Sequence, residues 1–393
     1  MTRKEFIRLS ALLGISIPVQ SLFTGCSDKL PQGPNSNNGL EGQKVIIVGA
    51  GPAGMTAGYL LAQAGVDFQI LEATSGFGGR TKTNTTFTDF PIPLGAEWLH
   101  VERGIFDEVV NDSTINVTIE TTPYDESVDY ALFEGNQISL SDVGFTIDQK
   151  FINSSWLDFF KQYVIPSIEA NVMFNKIVTE VDYSTDEVIV KTADEEFKGA
   201  KVIVTAPVKI LQNQSIQFTP SLPNDKLEAI NEIKVWDGCK AFIEFSEKFY
   251  PAVTAFDIQP ASDGEKLYYD AAYGQNSDKH ILGLFAVGTG TLPYVNLSDA
   301  DLIAYMLNEL DEIFEGKASD SYVKHLFQNW NDAPFANGAY ATSYEKWQLF
   351  RTLAESVNDR LYFAGDAYTD GSDWSSVHTA ARSAKVAVEE LIG

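Results

Sequence analysis

Three kinds of apolar pattern divide the chain. Residues 45–48, Val-Ile-Ile-Val, form an unbroken β-branched run, the mark of a parallel strand buried on both faces. Residues 55–64 then read as a helix that Gly65 ends, and residues 68–71 as a second short strand closing on Glu72. A further strand over 361–364 and an amphipathic helix over 377–392 close the chain. In between, strict alternation marks residues 237–245, DGCKAFIEF. Cys239, Ala241, Ile243 and Phe245 fall on one face of that strand, and Lys240, Phe242 and Glu244 on the other. One longer helix is predicted over residues 155–170.

The first residues carry a different pattern. MTRKEFIRLSALLGISIPVQSLFTGCS has a basic start (Arg3, Lys4, Arg8) and an apolar stretch that Pro18 interrupts, too short for a membrane-spanning helix. Residues 1–25 read as a signal peptide. Phe23-Thr24-Gly25-Cys26 resembles a bacterial lipobox, and residues 2–8 resemble a twin-arginine signal with Lys4 in place of the second arginine. The expectation is an exported protein, periplasmic or at the cell surface, touching the membrane only through a lipid anchor on Cys26. Residues 26–42, rich in Pro, Gly, Asn and Ser, read as a flexible tether.

Composition adds charge and little else. The 393 residues contain 54 acids and 28 bases, a formal net charge of −26, which excludes general nucleic-acid binding. Such a surface draws in cations, amines included, and also serves plain solubility. Besides Cys26 the one cysteine is Cys239, so no disulfide framework is expected. His100, His280, His325 and His378 lie apart and not at ligand spacing, so no metal is expected.

The chemistry enters just after the first strand. Gly49, Gly51 and Gly54 satisfy G-x-G-x-x-G, with Pro52 and Ala53 opening the helix. Gly49 permits the tight turn, Gly51 lets backbone N–H groups approach a pyrophosphate, and Gly54 lets helix and strand pack closely. The helix N-terminus then faces phosphate. Glu72, 23 residues after Gly49, is placed to accept from a ribose diol. Ala73 follows, and then Gly78, Gly79 and Arg80, a second glycine pair with a base that suits a second approach to the same diphosphate.

From Glu72 to Arg80 the chain resembles the flavin-containing amine oxidase family, which includes monoamine oxidases, polyamine oxidases and flavin histone demethylases. The likeness continues through FPIPLGAEWLH (90–100), the NKIVTEVDYSTDEVIVKTADEEFKGAKVIVTAPVKIL stretch, residues 218–250 and RLYFAGDAYTDGSDWSSVH, and covers most of 43–393. It implies non-covalent FAD, since Ala339 stands where monoamine oxidases carry the linking cysteine. It implies an α/β fold: an FAD-binding Rossmann-like domain of the GR2 type (43–100, 171–236, 352–393), interleaved with a mixed-sheet α+β substrate domain (101–170, 237–351). By the same likeness Gly95, Ala96, Glu97, Trp98, Val178, Thr205, Pro207, Gly365, Asp366, Ser376 and Val377 join the cofactor site. Lys240 is expected to hold a water near flavin N5, and Tyr340 to form one wall of an aromatic cage. Trp374 is expected either as the second wall or packed on a helix, and His100 either as a site histidine or a structural one. The insert between GAEWLH and FNKIVTEV is shorter than in relatives with deep tunnels. An amine without a carboxylate and dioxygen are the expected substrates, giving aldehyde and hydrogen peroxide. A flavin dehydrogenase or desaturase with another acceptor, and a non-catalytic surface lipoprotein on a flavin-binding fold, stay open on the sequence.

Overall fold

A computed structural model describes residues 43–124, 130–134, 137–140, 148–256 and 263–393. The stretches read as signal peptide and tether, with Cys26, lie outside the described residues.

The β-branched run lies at the centre of a five-stranded sheet. Its order is Leu361–Phe363, Lys201–Val204, Lys44–Val48, Asp67–Leu71, Val172–Met173, every neighbouring pair parallel. Alternation within the run feeds two cores, because successive side chains leave a strand on opposite faces. Val45 and Ile47 pack with helix Pro52–Gln63 and helix Val377–Ile392. Ile46 and Val48 pack with the sheet of Val178–Asp182, Val188–Thr192, Glu196–Gly199 and Gln217–Thr219. The helices Gly104–Val110 and Trp156–Tyr163 bury Phe106, Trp156 and Phe159 in the first of these cores.

The DGCKAFIEF stretch forms Gly238–Phe245, second in a seven-stranded sheet between Tyr322–Asn329 and His280–Gly288, and buried along its whole length. The expected alternation holds. Cys239, Ala241, Ile243 and Phe245 face helix Asp299–Phe314 through Leu302, Met306 and Leu310. Phe242 faces an aromatic core with Trp98, Tyr124 and Tyr269.

The single helix expected over 155–170 is broken. An α-helix spans Trp156–Tyr163, capped by Ser155 accepting from the Asp158 N–H, and short 3₁₀ turns follow at Ile165–Ser167 and Glu169–Asn171. Pro166 is the cause: it has no N–H to donate to Gln162, and its ring disfavours helical geometry in the residue before it.

Candidate functional site

Gly49, Glu72, Thr205 and Gly365 come from four distant parts of the sequence. Each lies just beyond the carboxyl end of a strand of the parallel sheet, where ligands of open α/β sheets bind. Gly49 has φ +107°, and a Cβ there would sit 2.6 Å from the Thr205 hydroxyl, which itself donates to the Val48 carbonyl at 2.8 Å. A Cβ on Gly54 would lie 1.9 Å from the Gly49 carbonyl oxygen. Gly51 is different, with no atom within 4 Å of where its Cβ would be. The helix after it starts with Pro52, carries no acid in its first turn and has no side-chain cap. Its first N–H groups have no partner within the helix. The second glycine pair closes over this spot, with Gly78 and Gly79 at φ +117° and +53° and the Gly79 Cβ position 3.3 Å from the Gly51 Cα. These features fit a diphosphate.

Glu72 is buried, and Ala73 follows it at the edge. Its Oε2 accepts from the Ala50 N–H at 2.7 Å, and its Oε1 from the Thr74 N–H and hydroxyl at 2.9 and 2.7 Å. With two lone pairs per oxygen, Oε2 alone retains room for a ribose hydroxyl. Ala53 is buried inside the helix, and Val178 is buried at the start of its strand.

Arg80 joins the two halves of the site. Its guanidinium makes a two-pronged pair with Asp366 (Nη2–Oδ1 2.5 Å, Nη1–Oδ2 3.2 Å) and donates to the Ala339 carbonyl at 2.5 Å. A fork of this kind fixes direction as well as charge. It ties the cradle to the Tyr340 segment. Arg80, Pro207, Val235, Ala339, Tyr340 and Asp366 line one cleft. The Tyr340 ring lies 5.9 Å from that of Trp236, whose buried indole N–H has no acceptor among the described residues. Arg80 keeps its Nε–H and one Nη2–H for a phosphate oxygen.

Lys240 is fully buried, yet its ammonium already has three acceptors: the carbonyls of Pro93 (3.0 Å) and Gly95 (3.2 Å), and Glu97 Oε2 (2.5 Å). An ammonium has three N–H donors, so holding a water requires one of these contacts to yield. Gly95 and Ala96 themselves sit against Arg80, whose carbonyl accepts from the Ala96 N–H at 3.0 Å. Glu97, expected at the cofactor, is the centre of a buried cluster. Its Oε1 pairs with Lys150 at 2.9 Å, and its Oε2 also accepts from the Tyr269 hydroxyl. Burial raises the Glu97 carboxyl, but the charges of Lys150 and Lys240 outweigh it and bring it down to about 2. Burial pushes the Lys240 ammonium down, opposed by Glu97. Lys150 and Tyr269 had no signal in the sequence.

The remaining residues are distributed around this frame. Trp98 donates to the Tyr124 hydroxyl at 3.0 Å and stands edge-on to Tyr269. His100 is partly exposed and pairs through Nδ1 with Asp148 at 2.8 Å. Trp374 lies flat on Phe350 at 4.6 Å, the helix-packing alternative. Ser376 and Val377 begin the last helix, where Ser376 and Thr379 form a capping box that occupies the Ser376 hydroxyl and N–H. Behind them Ser383 clamps Gly365, accepting from its N–H at 2.8 Å and donating to its carbonyl at 2.9 Å.

The model of the flavin containing amine oxidoreductases matches residues 162–392, more than half of the chain, and that of NAD(P)-binding Rossmann-like domains matches residues 47–110. The chain belongs to the flavin-containing amine oxidoreductase family. Its cofactor is FAD, and the family places it among oxidoreductases acting on amines. The oxidoreductase is 25% identical to polyamine oxidase 1 of Zea mays over 86% of this chain and 90% of the maize protein. It is 22% identical to lysine-specific histone demethylase 1B of Mus musculus over 83% of this chain, and spans only 50% of that relative. Among solved structures, putrescine oxidase bound to putrescine superposes with a TM-score of 0.72 at 15% identity, covering 89% of this chain and 99% of that one, which shows the fold.

Among the described residues, no thiol is offered to the flavin. Ala339 cannot form a thioether, and Cys239 is buried, with its thiol pushed up to about 12 by burial. Acid precipitation of the holoprotein therefore releases its flavin into the supernatant; yellow protein in the pellet would refute non-covalent binding.

Proposed function

We propose that the protein oxidises an amine without a carboxylate to an imine, which hydrolyses to an aldehyde, and passes the electrons to dioxygen as hydrogen peroxide. The Arg80 fork carries this reading: one side chain of the dinucleotide cradle pairs with Asp366 and reaches the Tyr340 segment through the Ala339 carbonyl. Gly51, the Pro52–Gln63 helix N-terminus, Gly79 and Arg80 would hold the diphosphate, Glu72 a ribose hydroxyl and Asp366 the ribityl side. FAD, when bound, accepts two electrons from the C–H bond beside the nitrogen and returns them to oxygen. Tyr340 supplies an aromatic face that orients the amine and favours its cationic character. Lys240, held beside Gly95 and Glu97, would supply positive charge. The net charge of −26 concentrates cationic amines around the molecule, and the one arginine of the cleft is tied to Asp366 rather than free for a substrate carboxylate.

Anaerobic mixing with a panel of mono-, di- and polyamines tests the reading. At least one amine bleaches the flavin, and readmitting air restores the colour with one peroxide per turnover. A flavin that no amine bleaches overturns the reading; bleaching without peroxide on reoxidation supports instead a dehydrogenase using another acceptor.

A further inference from the structure

Among the described residues, Glu97 is the sole carboxylate in contact with either Lys150 or Lys240. Two ammonium groups thus share one carboxylate where all three side chains are about 3% exposed. The sharing is asymmetric. Oε1 takes Lys150, and Oε2 takes Lys240 together with the Tyr269 hydroxyl. The other Lys150 donors reach the carbonyls of Ala271 (2.7 Å) and Asp270 (3.4 Å). The Asp270 carboxylate gives no compensation, being turned to Lys248 at 2.7 Å and to the Ala272 N–H at 3.0 Å. With both lysines charged, the cluster carries one positive charge more than it can balance.

A buried net charge is costly, and in proteins such a cluster commonly sheds a proton. Lys240 shares its carboxylate oxygen with the Tyr269 hydroxyl, so it is the ammonium on which this excess bears. The titratable groups facing Lys240 are Glu97, Lys150 and Tyr269, with Tyr124 one ring further, behind Trp98. Its other neighbours are the carbonyls of Pro93 and Gly95 and the rings of Trp98, Phe242 and Tyr269, 5.2–5.4 Å from its nitrogen. The Lys150 charge adds to the push of burial against the Lys240 proton.

We propose that Lys150 is a positioning residue for Lys240: held on the far oxygen of Glu97, it divides that carboxylate between two ammonium groups and so keeps the Lys240 proton exchangeable. The functional weight of this rests on the reading that Lys240 serves the flavin side of the site. Lys150 bears on Lys240 through the shared Glu97 and through its own charge, and lines no part of the Tyr340 cleft.

The test follows the Lys240 ¹³Cε resonance against pH in FAD-loaded protein labelled at lysine, the signal being assigned by its loss in Lys240→Met. Lys150→Met removes the competing charge and moves the Lys240 midpoint up by about one pH unit. Lys150→Gln, which keeps a donor towards Glu97, gives the same upward shift should the methionine variant fail to fold. Glu97→Gln moves the midpoint down, and Lys150→Arg leaves it close to the parent value. Opposite shifts from removing opposite charges are not the mark of a merely structural pair. A midpoint that Lys150→Met and Lys150→Gln leave in place or lower overturns the proposal. A midpoint that moves as expected while the pH dependence of flavin reduction does not follow it supports the positioning and refutes instead the assignment of Lys240 to the flavin.

Discussion

Replacing Gly54 with alanine abolishes retention of FAD. The added methyl would stand 1.9 Å from the Gly49 carbonyl oxygen, 2.9 Å from its carbon and 3.2 Å from the Thr205 hydroxyl. Two of these three atoms are backbone, so no side-chain rotation relieves the clash. The turn at Gly49 or the first turn of Pro52–Gln63 has to move. Either displacement misdirects the N–H groups that face the diphosphate. Gly51→Ala makes the contrast. Its methyl meets nothing within 4 Å among the described residues, so the flavin-free variant unfolds at the urea midpoint of the flavin-free parent, yet it fills the space a phosphate needs. Both variants are purified and their flavin-to-protein absorbance ratio is compared with the parent, with circular dichroism to show that each is folded. Gly54→Ala carrying stoichiometric flavin would refute the packing argument. Gly51→Ala binding FAD with unchanged affinity would remove the diphosphate from that spot.

These two glycines also show what kind of information the sequence carries. The cradle is legible because its demands are local. A tight turn, a close backbone approach and a helix start all fall within six residues, and each selects a residue type. The faces of Gly238–Phe245 are legible for a similar reason, since a period of two needs no knowledge of partners. Pro166 carried its signal openly, and the helix breaks beside it as proline chemistry demands. What the sequence does not display is which charges meet. Arg80 and Asp366 are 286 positions apart, and Glu97 and Lys240 are 143 apart. Lys150 lies on a three-residue strand, Gln149–Phe151, too short to show an alternation. A lysine in such a setting reads as a solvated side chain until the fold buries it. The alternation that placed Lys240 opposite Cys239 was therefore sound, whereas the three acceptors waiting for its ammonium came from residues 93–97, on another segment altogether.

Glu97→Leu destabilises the protein by about 3–5 kcal/mol, because it leaves two buried ammonium groups and the Tyr269 hydroxyl without their shared acceptor. The loss is read as a fall in the urea midpoint at neutral pH. Desolvation of charge dominates this effect, not the lost hydrogen bonds, and that makes a second expectation. Glu97→Leu combined with Lys150→Met and Lys240→Met replaces all three ionic side chains of the cluster by apolar ones, leaving the Tyr269 hydroxyl, in a region already lined by Trp98, Phe242 and Phe285. Such a replacement is often neutral or stabilising, since no ion then has to be taken out of water. The triple variant accordingly regains most or all of the stability lost in Glu97→Leu, while its flavin is reduced more slowly than the parent's for lack of the Lys240 charge. Stability that stays low in the triple variant would show that the cluster is needed for packing rather than for charge balance. A recovered fold with parental reduction rates would show instead that the Lys240 ammonium serves the aromatic core alone. The pH dependence has a defined sign. The Glu97 carboxyl lies near 2 in the folded state, below the ordinary carboxylate value of about 4.3. Its stabilisation is therefore complete above the unfolded value and is lost as pH falls from there towards 2. Glu97→Leu and the parent thus differ most at neutral pH and converge in acid, a trend that a purely steric effect of leucine would not produce.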